Sequence, residues 1–178
     1  THCPLMHILV PTGIFHPESG GPATYLYHFL PELQARGHRV EVVTFSDDKP
    51  AQDYPYPVFR IPRTNILHRN WVYRQVIAHR MQRADLLYIN SLGLWLPKLP
   101  KPSVMKIVGD RAWERCLNRG WIAPDEDIDL FQLKRYNALI QWVKRARRKE
   151  ALAVDQIIVP SKYLKNMVVG WGVRRQSV

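Results

Sequence analysis

Apolar residues fall in short runs that switch between two periods, a strand-like alternation and a helix-like stripe. Met6-His-Ile-Leu-Val10 is a compact apolar run ended by Pro11, Thr12 and Gly13, and it predicts a buried strand. Residues 13–22 hold three glycines and two prolines and read as a loop. Pro22 is placed to open a helix, in which Leu26, Phe29, Leu30 and Leu33 share one face as far as about Arg36. Pro31 is an expected source of bending within it, and Gly37 is the stop signal. Arg39–Phe45 alternates into a second strand, so about forty residues spell a βαβ unit with a parallel pair and a right-handed crossover.

The alternation continues downstream. Val58–Ile61 predicts a short strand, and Asn70–Arg83 a helix with Trp71, Gln75, Ala78 and Met81 broadly on one side. Asp85–Asn90 and Ser103–Val108 predict two more strands, and residues 109–125 a loop with one short helix. Asp127–Val154 contains no Gly or Pro and predicts one long helix. Gln156–Val159 closes the strand series, and Ser161 caps a last helix to about Val169. Strands alternating with helices predict an α/β fold: a Rossmann-like open parallel sheet with helices on both faces, as one domain over 1–178.

Composition alters this picture only through charge. Apolar residues are 46% and charged residues 23%, ordinary values for a globular chain. Lys and Arg number 26 against 15 Asp and Glu, a net +11 that points to an anionic partner without choosing it. No apolar run reaches the roughly 20 residues of a membrane span, and no signal-peptide pattern opens the chain, so a cytoplasmic location is expected. Cys3 and Cys116 form no motif, and the seven histidines show no HExxH or HxH spacing, so no metal is expected.

Ligands of open parallel sheets bind at the carboxyl ends of the strands, which directs attention to residues 11–22, 45–50, 90–96 and 109–121. Gly20-Gly21 directly precedes a helix, where backbone can approach a ligand and unpaired N–H groups favour an anion; a plain tight turn explains the pair equally well. His16 sits in the same loop, and Asn90 and Ser91 end a strand at the ligand edge. Gly-x-Gly-x-x-Gly and the P-loop signature are both absent.

The stretch from Pro11-Thr-Gly through Gly20-Gly-Pro-Ala-Thr-Tyr-Leu to Arg36-Gly-His-Arg-Val-Glu-Val-Val-Thr44 resembles the opening of the family-4, retaining GT-B glycosyltransferases. Lys106-Ile-Val-Gly-Asp-Arg-Ala-Trp-Glu114 resembles a later loop in one branch of that family. Asp155-Gln-Ile-Ile-Val-Pro-Ser-Lys-Tyr-Leu164 resembles the segment before its interdomain linker, and Gly170-Trp-Gly-Val173 lies where that linker approaches. The resemblance implies the N-terminal, acceptor-side half of a GT-B fold. The nucleotide-sugar donor would be held by a C-terminal domain absent from this chain and supplied in cis or in trans. It implies transfer without a cofactor or required metal, onto a glycan or lipid-linked acceptor.

By this likeness Gly20 and Gly21 lie near the donor diphosphate and Asp110, the catalytic candidate, near the transferred sugar; the histidine that many relatives carry in that region is missing, which leaves acceptor binding as the other role for Asp110. His16, Asn90, Ser91, Arg111, Trp113 and Glu114 are the acceptor-binding candidates. For Trp113 core packing is an equal reading, and for Arg111 and Arg115 ordinary solvation. The run Lys144, Arg145, Arg147, Arg148 and Lys149 is either a solvated helix face or a cationic face for anionic lipid headgroups, which would place the protein on the inner face of a membrane.

Two rival readings start from the same residues. A basic nucleic-acid-binding domain accounts for the charge but lacks zinc-finger spacing, an RNP-like aromatic pair and a recognition helix. A stand-alone nucleotide-binding domain would use Asp47 or Asp48, just after the second strand, as a ribose-binding acid.

Overall fold

The computed structural model describes residues 5–47 and 54–178; Cys3 and Asp48 lie outside the described residues. The chain divides into two compact units, Thr1–Val104 and Met105–Val178. The strands are β1 (His7–Pro11), β2 (Arg39–Phe45), β3 (Val58–Ile61), β4 (Leu86–Ile89), β5 (Ser103–Lys106) and β6 (Gln156–Ile158). They form one parallel sheet in the order β3-β2-β1-β4-β5-β6. That is the doubly wound order, with its reversal between β1 and β4. The Rossmann-like α/β expectation therefore holds.

In the first unit, β1 registers with β2 from His7 opposite Arg39 to Pro11 opposite Val43, and with β4 at Ile8–Leu86 and Leu9–Leu87. Helix α1 (Gly21–Ala35) buries Leu26 and Leu30 in a cluster with Ile8, Val10, Val40 and Val42. The i, i+2 spacing of the strand partners is what presents these β-branched side chains on one sheet face. Pro31 is accommodated in α1 as an exposed residue. Gly37, at φ 89°, turns the chain out of the helix and donates its N–H to the Gln34 carbonyl. His38 Nδ1 then accepts the Met6 N–H, a structural use of that histidine.

Helix α2 (Ile66–Met81) begins four residues before the expected position. Asn65 Oδ1 accepts the Leu67 N–H and supplies the N-cap that the apolar pattern did not reveal. Its buried face is Tyr73, Ile77 and Met81, spaced by four. Trp71, expected beside Met81, is instead 60% exposed. Burying Tyr73 turns a residue two positions earlier toward the opposite side of the helix.

The second unit corrects another expectation. Residues 127–154 do not form one helix but α4 (Ile128–Leu133) and α5 (Ala138–Leu152), preceded by α3 (Arg111–Asn118). The break has local causes. Asn137 Oδ1 accepts the Ile140 N–H and starts a new helix, as Asp127 Oδ1 does for α4 by accepting from Asp129 and Leu130. Lys144 Nζ donates to the carbonyls of Phe131, Gln132 and Lys134, so a side chain satisfies the groups that a continuing helix would have used. The core joins Ala112, Cys116, Ile122, Phe131, Ile140 and Val143. Helix α6 (Lys162–Gly170) is capped by Ser161 Oγ, which accepts the Leu164 N–H.

Candidate functional site

In the first unit the topological reversal opens at the carboxyl ends of β1 and β4. Thr12, Asn90 and the glycine loop meet there. The Asn90 N–H donates to the Pro11 carbonyl at 3.2 Å, and its Nδ2 donates to the Pro22 carbonyl at 3.3 Å. Asn90, only 4% exposed, thus ties the end of β4 to the first turn of α1. Ser91 follows, partly exposed and close to Gly13.

Gly20 is the N-cap of α1, at φ 153° and ψ 149°, a region that L side chains rarely adopt, and it has no side chain to close the helix end. Gly21 is exposed, and nothing stands within 4 Å of where its Cβ would be. The first turn of α1 therefore carries N–H groups without a side-chain cap, beside a backbone stripped of side chains.

The loop is held from the β3 side by residues that sequence reasoning did not single out. Arg60 Nη2 donates to the His16 carbonyl at 2.6 Å, and the Tyr54 hydroxyl donates to the same carbonyl at 2.8 Å. With the phenol proton committed there, His16 Nδ1 donates to the Tyr54 oxygen at 2.8 Å, leaving Nε2 as an acceptor. The His16 ring stacks on Tyr27 at 4.2 Å between centroids. Arg63 pairs with Glu18 at 2.5 Å and donates to the Phe45 carbonyl. Asp47, exposed after β2, accepts the Arg63 N–H at 2.6 Å.

In the second unit Asp110 precedes α3 and is fully buried. Its Oδ1 accepts the N–H groups of Ala112 and Trp113, and its Oδ2 accepts from Gln132 Nε2 and from Arg147 Nη1. Gln132 Oε1 in turn accepts from Arg147 and from the Trp171 indole, and the Arg147 guanidinium lies over the Trp171 ring at 4.1 Å. Burial pushes the Arg147 pKa down, and the Asp110 carboxylate opposes that shift. One carboxylate thereby joins α3, α4, α5 and the turn after α6.

Around Asp110 the other candidates divide. Trp113 is half-buried and its indole donates to the Glu126 carbonyl at 3.0 Å, the packing role weighed for it. Arg111, Glu114 and Arg115 are exposed. Cys116 is a buried free thiol whose pKa burial raises. The cationic run also divides: Arg147 is buried on Asp110, and Lys144 is turned into the α4 carbonyls, its pKa lowered chiefly by burial. Arg145, Arg148 and Lys149 are exposed, with Trp142 and Leu139 also open to solvent. The expected lipid-facing set thus loses Arg147, whose charge is already matched.

Among the described residues no group of three or more His, Cys, Asp or Glu is arranged to hold a metal ion. No described helix is long and apolar enough to cross a membrane. Comparison with curated proteins finds no match. The family model for Glycosyltransferase Family 4 matches residues 19–178, from the edge of the glycine loop through Asp110 to the Trp171 turn. With an uncapped helix end at the reversal of a 3-2-1-4-5-6 parallel sheet and a family match over nearly its whole length, this chain belongs to glycosyltransferase family 4.

Proposed function

We propose that this chain is the acceptor-side domain of a retaining glycosyltransferase. In this reading it moves a sugar from a nucleotide-sugar, held by a second domain outside these 178 residues, onto a polysaccharide or lipid-linked glycan. The observation that carries the reading is the open start of α1: Gly20 in a glycine-only conformation, no side-chain cap, and free space at Gly21. Such an end offers a diphosphate the N–H groups of Gly21 and Ala23 in the field of a helix dipole, since Pro22 has no N–H and Thr24 donates to the Gly20 carbonyl. His16 Nε2 on the glycine loop, and Asn90 and Ser91 after β4, are assigned to the acceptor in this reading. Asp110, with Arg111, Trp113 and Glu114 after it, shapes the sugar-facing loop, and the buried pairing with Arg147 makes Asp110 a positioning residue.

Donor turnover by the enzyme joined to its donor-binding domain tests this, with UDP- and GDP-sugars as probes. Gly21→Leu fills the open space and is expected to lower turnover by at least about tenfold, a loss of ~1.4 kcal/mol or more in transition-state stabilisation, while the melting temperature stays close to that of the parent. Unchanged turnover in this variant would sink the diphosphate role.

The reading extends to an anionic membrane surface, because Arg145, Arg148 and Lys149 flank Trp142 and Leu139 on exposed α5. Sedimentation with phosphatidylglycerol vesicles, against phosphatidylcholine vesicles as control, decides it. Equal recovery with both lipids would remove the membrane from the account.

A further inference from the structure

A cavity of about 320 Å³ lies in the first unit between α1 and the segment before β3, lined by Tyr27, His28, Pro31, Glu32, Tyr54, Pro55 and Tyr56. Its size is at the low end of small-molecule sites, room for a single small ring system rather than for a nucleotide sugar. The walls are aromatic and held in place. Tyr54 and Tyr56 stack at 5.9 Å, and the fully buried Phe15 backs them at 5.3 and 6.4 Å. Tyr27 is fixed by the His16 stack. Pro31, inside α1, contributes its ring to the same wall.

The rim is polar and unspent. Among the described residues Glu32 has no ion-pair partner and the Tyr56 hydroxyl has no hydrogen-bond partner. Burial holds the Tyr56 phenol up to about 12, so it is a neutral donor at ordinary pH. His28 is exposed at the edge of Tyr27. Flat apolar faces with a carboxylate, an imidazole and a phenol at the rim match a pyranose, which has apolar C–H faces and a ring of hydroxyls at its edge.

Two walls of the cavity are tied to the glycine loop. His16 stacks on one lining residue, Tyr27, and hydrogen-bonds another, Tyr54. We propose that this cavity is a saccharide subsite that takes a pyranose unit of the acceptor glycan remote from the reacting sugar. It rests on the reading of the protein as a transferase to a glycan. Tyr27 and Tyr54 supply the stacking faces, Glu32 accepts from sugar hydroxyls, and Tyr56 donates to one.

Titration of the 178-residue chain with maltotriose, mannotriose and chitotriose, followed by saturation-transfer and amide NMR, tests it. At least one trisaccharide is expected to bind, with perturbations at residues 27–32 and 54–56. Glu32→Gln, at an exposed position outside the core, is expected to weaken binding about fivefold. Tyr27→Ala is expected to abolish it and Tyr27→Phe to restore it. No binding by any of the three, or binding untouched by both Glu32→Gln and Tyr27→Ala, overturns the subsite. The titration needs no donor. An enzyme that turns over donor while this chain binds no trisaccharide therefore loses only the subsite, and trisaccharide binding without donor turnover overturns only the transferase reading.

Discussion

The starts of α1 and α3 are alike in sequence and opposite in construction. Each follows a strand and a glycine, Gly20-Gly21-Pro22 in one case and Gly109-Asp110-Arg111 in the other. At α3 the helix end is closed by Asp110, which takes two N–H groups and then spends its second oxygen on Gln132 and Arg147. At α1 no side chain closes the end. A capped helix start contributes to the stability of its own domain, whereas an uncapped one keeps donors for something else. The contrast separates residues that carry the fold from residues that are free to meet a ligand.

The largest test of this contrast is Asp110→Ala. It leaves the Arg147 charge buried without its partner and uncaps α3, and a loss of about 3–5 kcal/mol in urea denaturation is expected. Adding Arg147→Met should recover much of that loss, because the stranded charge goes with it. A single variant as stable as the parent would show that the cluster is not the structural device described here. A smaller effect is expected at Gly20, where alanine must adopt φ 153° and meets Ile14 Cδ1 at 2.8 Å; about 1–3 kcal/mol should be lost. The smallest belongs to Gly21→Ala, within about 0.5 kcal/mol of the parent. A large stability loss there would mean that the open space is structural, and it would weaken the ligand argument at its root.

Much of this was legible in the chain. Val40, Val42 and Val43 placed β2, and the period of Leu26, Leu30 and Leu33 placed α1, because local pattern and tertiary burial agree there. The break at residues 134–137 carries no Gly or Pro, so the breaker residues alone do not reveal it. The signal was present: Asn137, a strong N-cap type, stands three residues before Ile140 and six before Val143. The inward turn of Arg147 could likewise have been suspected from its spacing to Ile140, Val143 and Ala151, the buried face of α5. Its partner could not, since nothing local links residue 147 to a carboxylate 37 positions earlier. Trp71 is exposed against expectation because Tyr73 can be buried with its hydroxyl donating to the Thr12 and Val43 carbonyls. The glycine pair was readable as a feature, but its lack of a cap is a fact of geometry.

The pins on the glycine loop have a consequence for affinity. Ten residues with three glycines and two prolines would, if free, sample many backbone states, and ordering each residue costs about 1–2 kcal/mol. Here Arg60 and Tyr54 fix the His16 carbonyl, and Arg63 fixes Glu18, before any ligand arrives. The conformational entropy of that segment is surrendered when the chain folds, so binding energy gained at the loop is not consumed in ordering it. A loop rich in glycine can in this way combine close backbone approach with the rigidity of its scaffold.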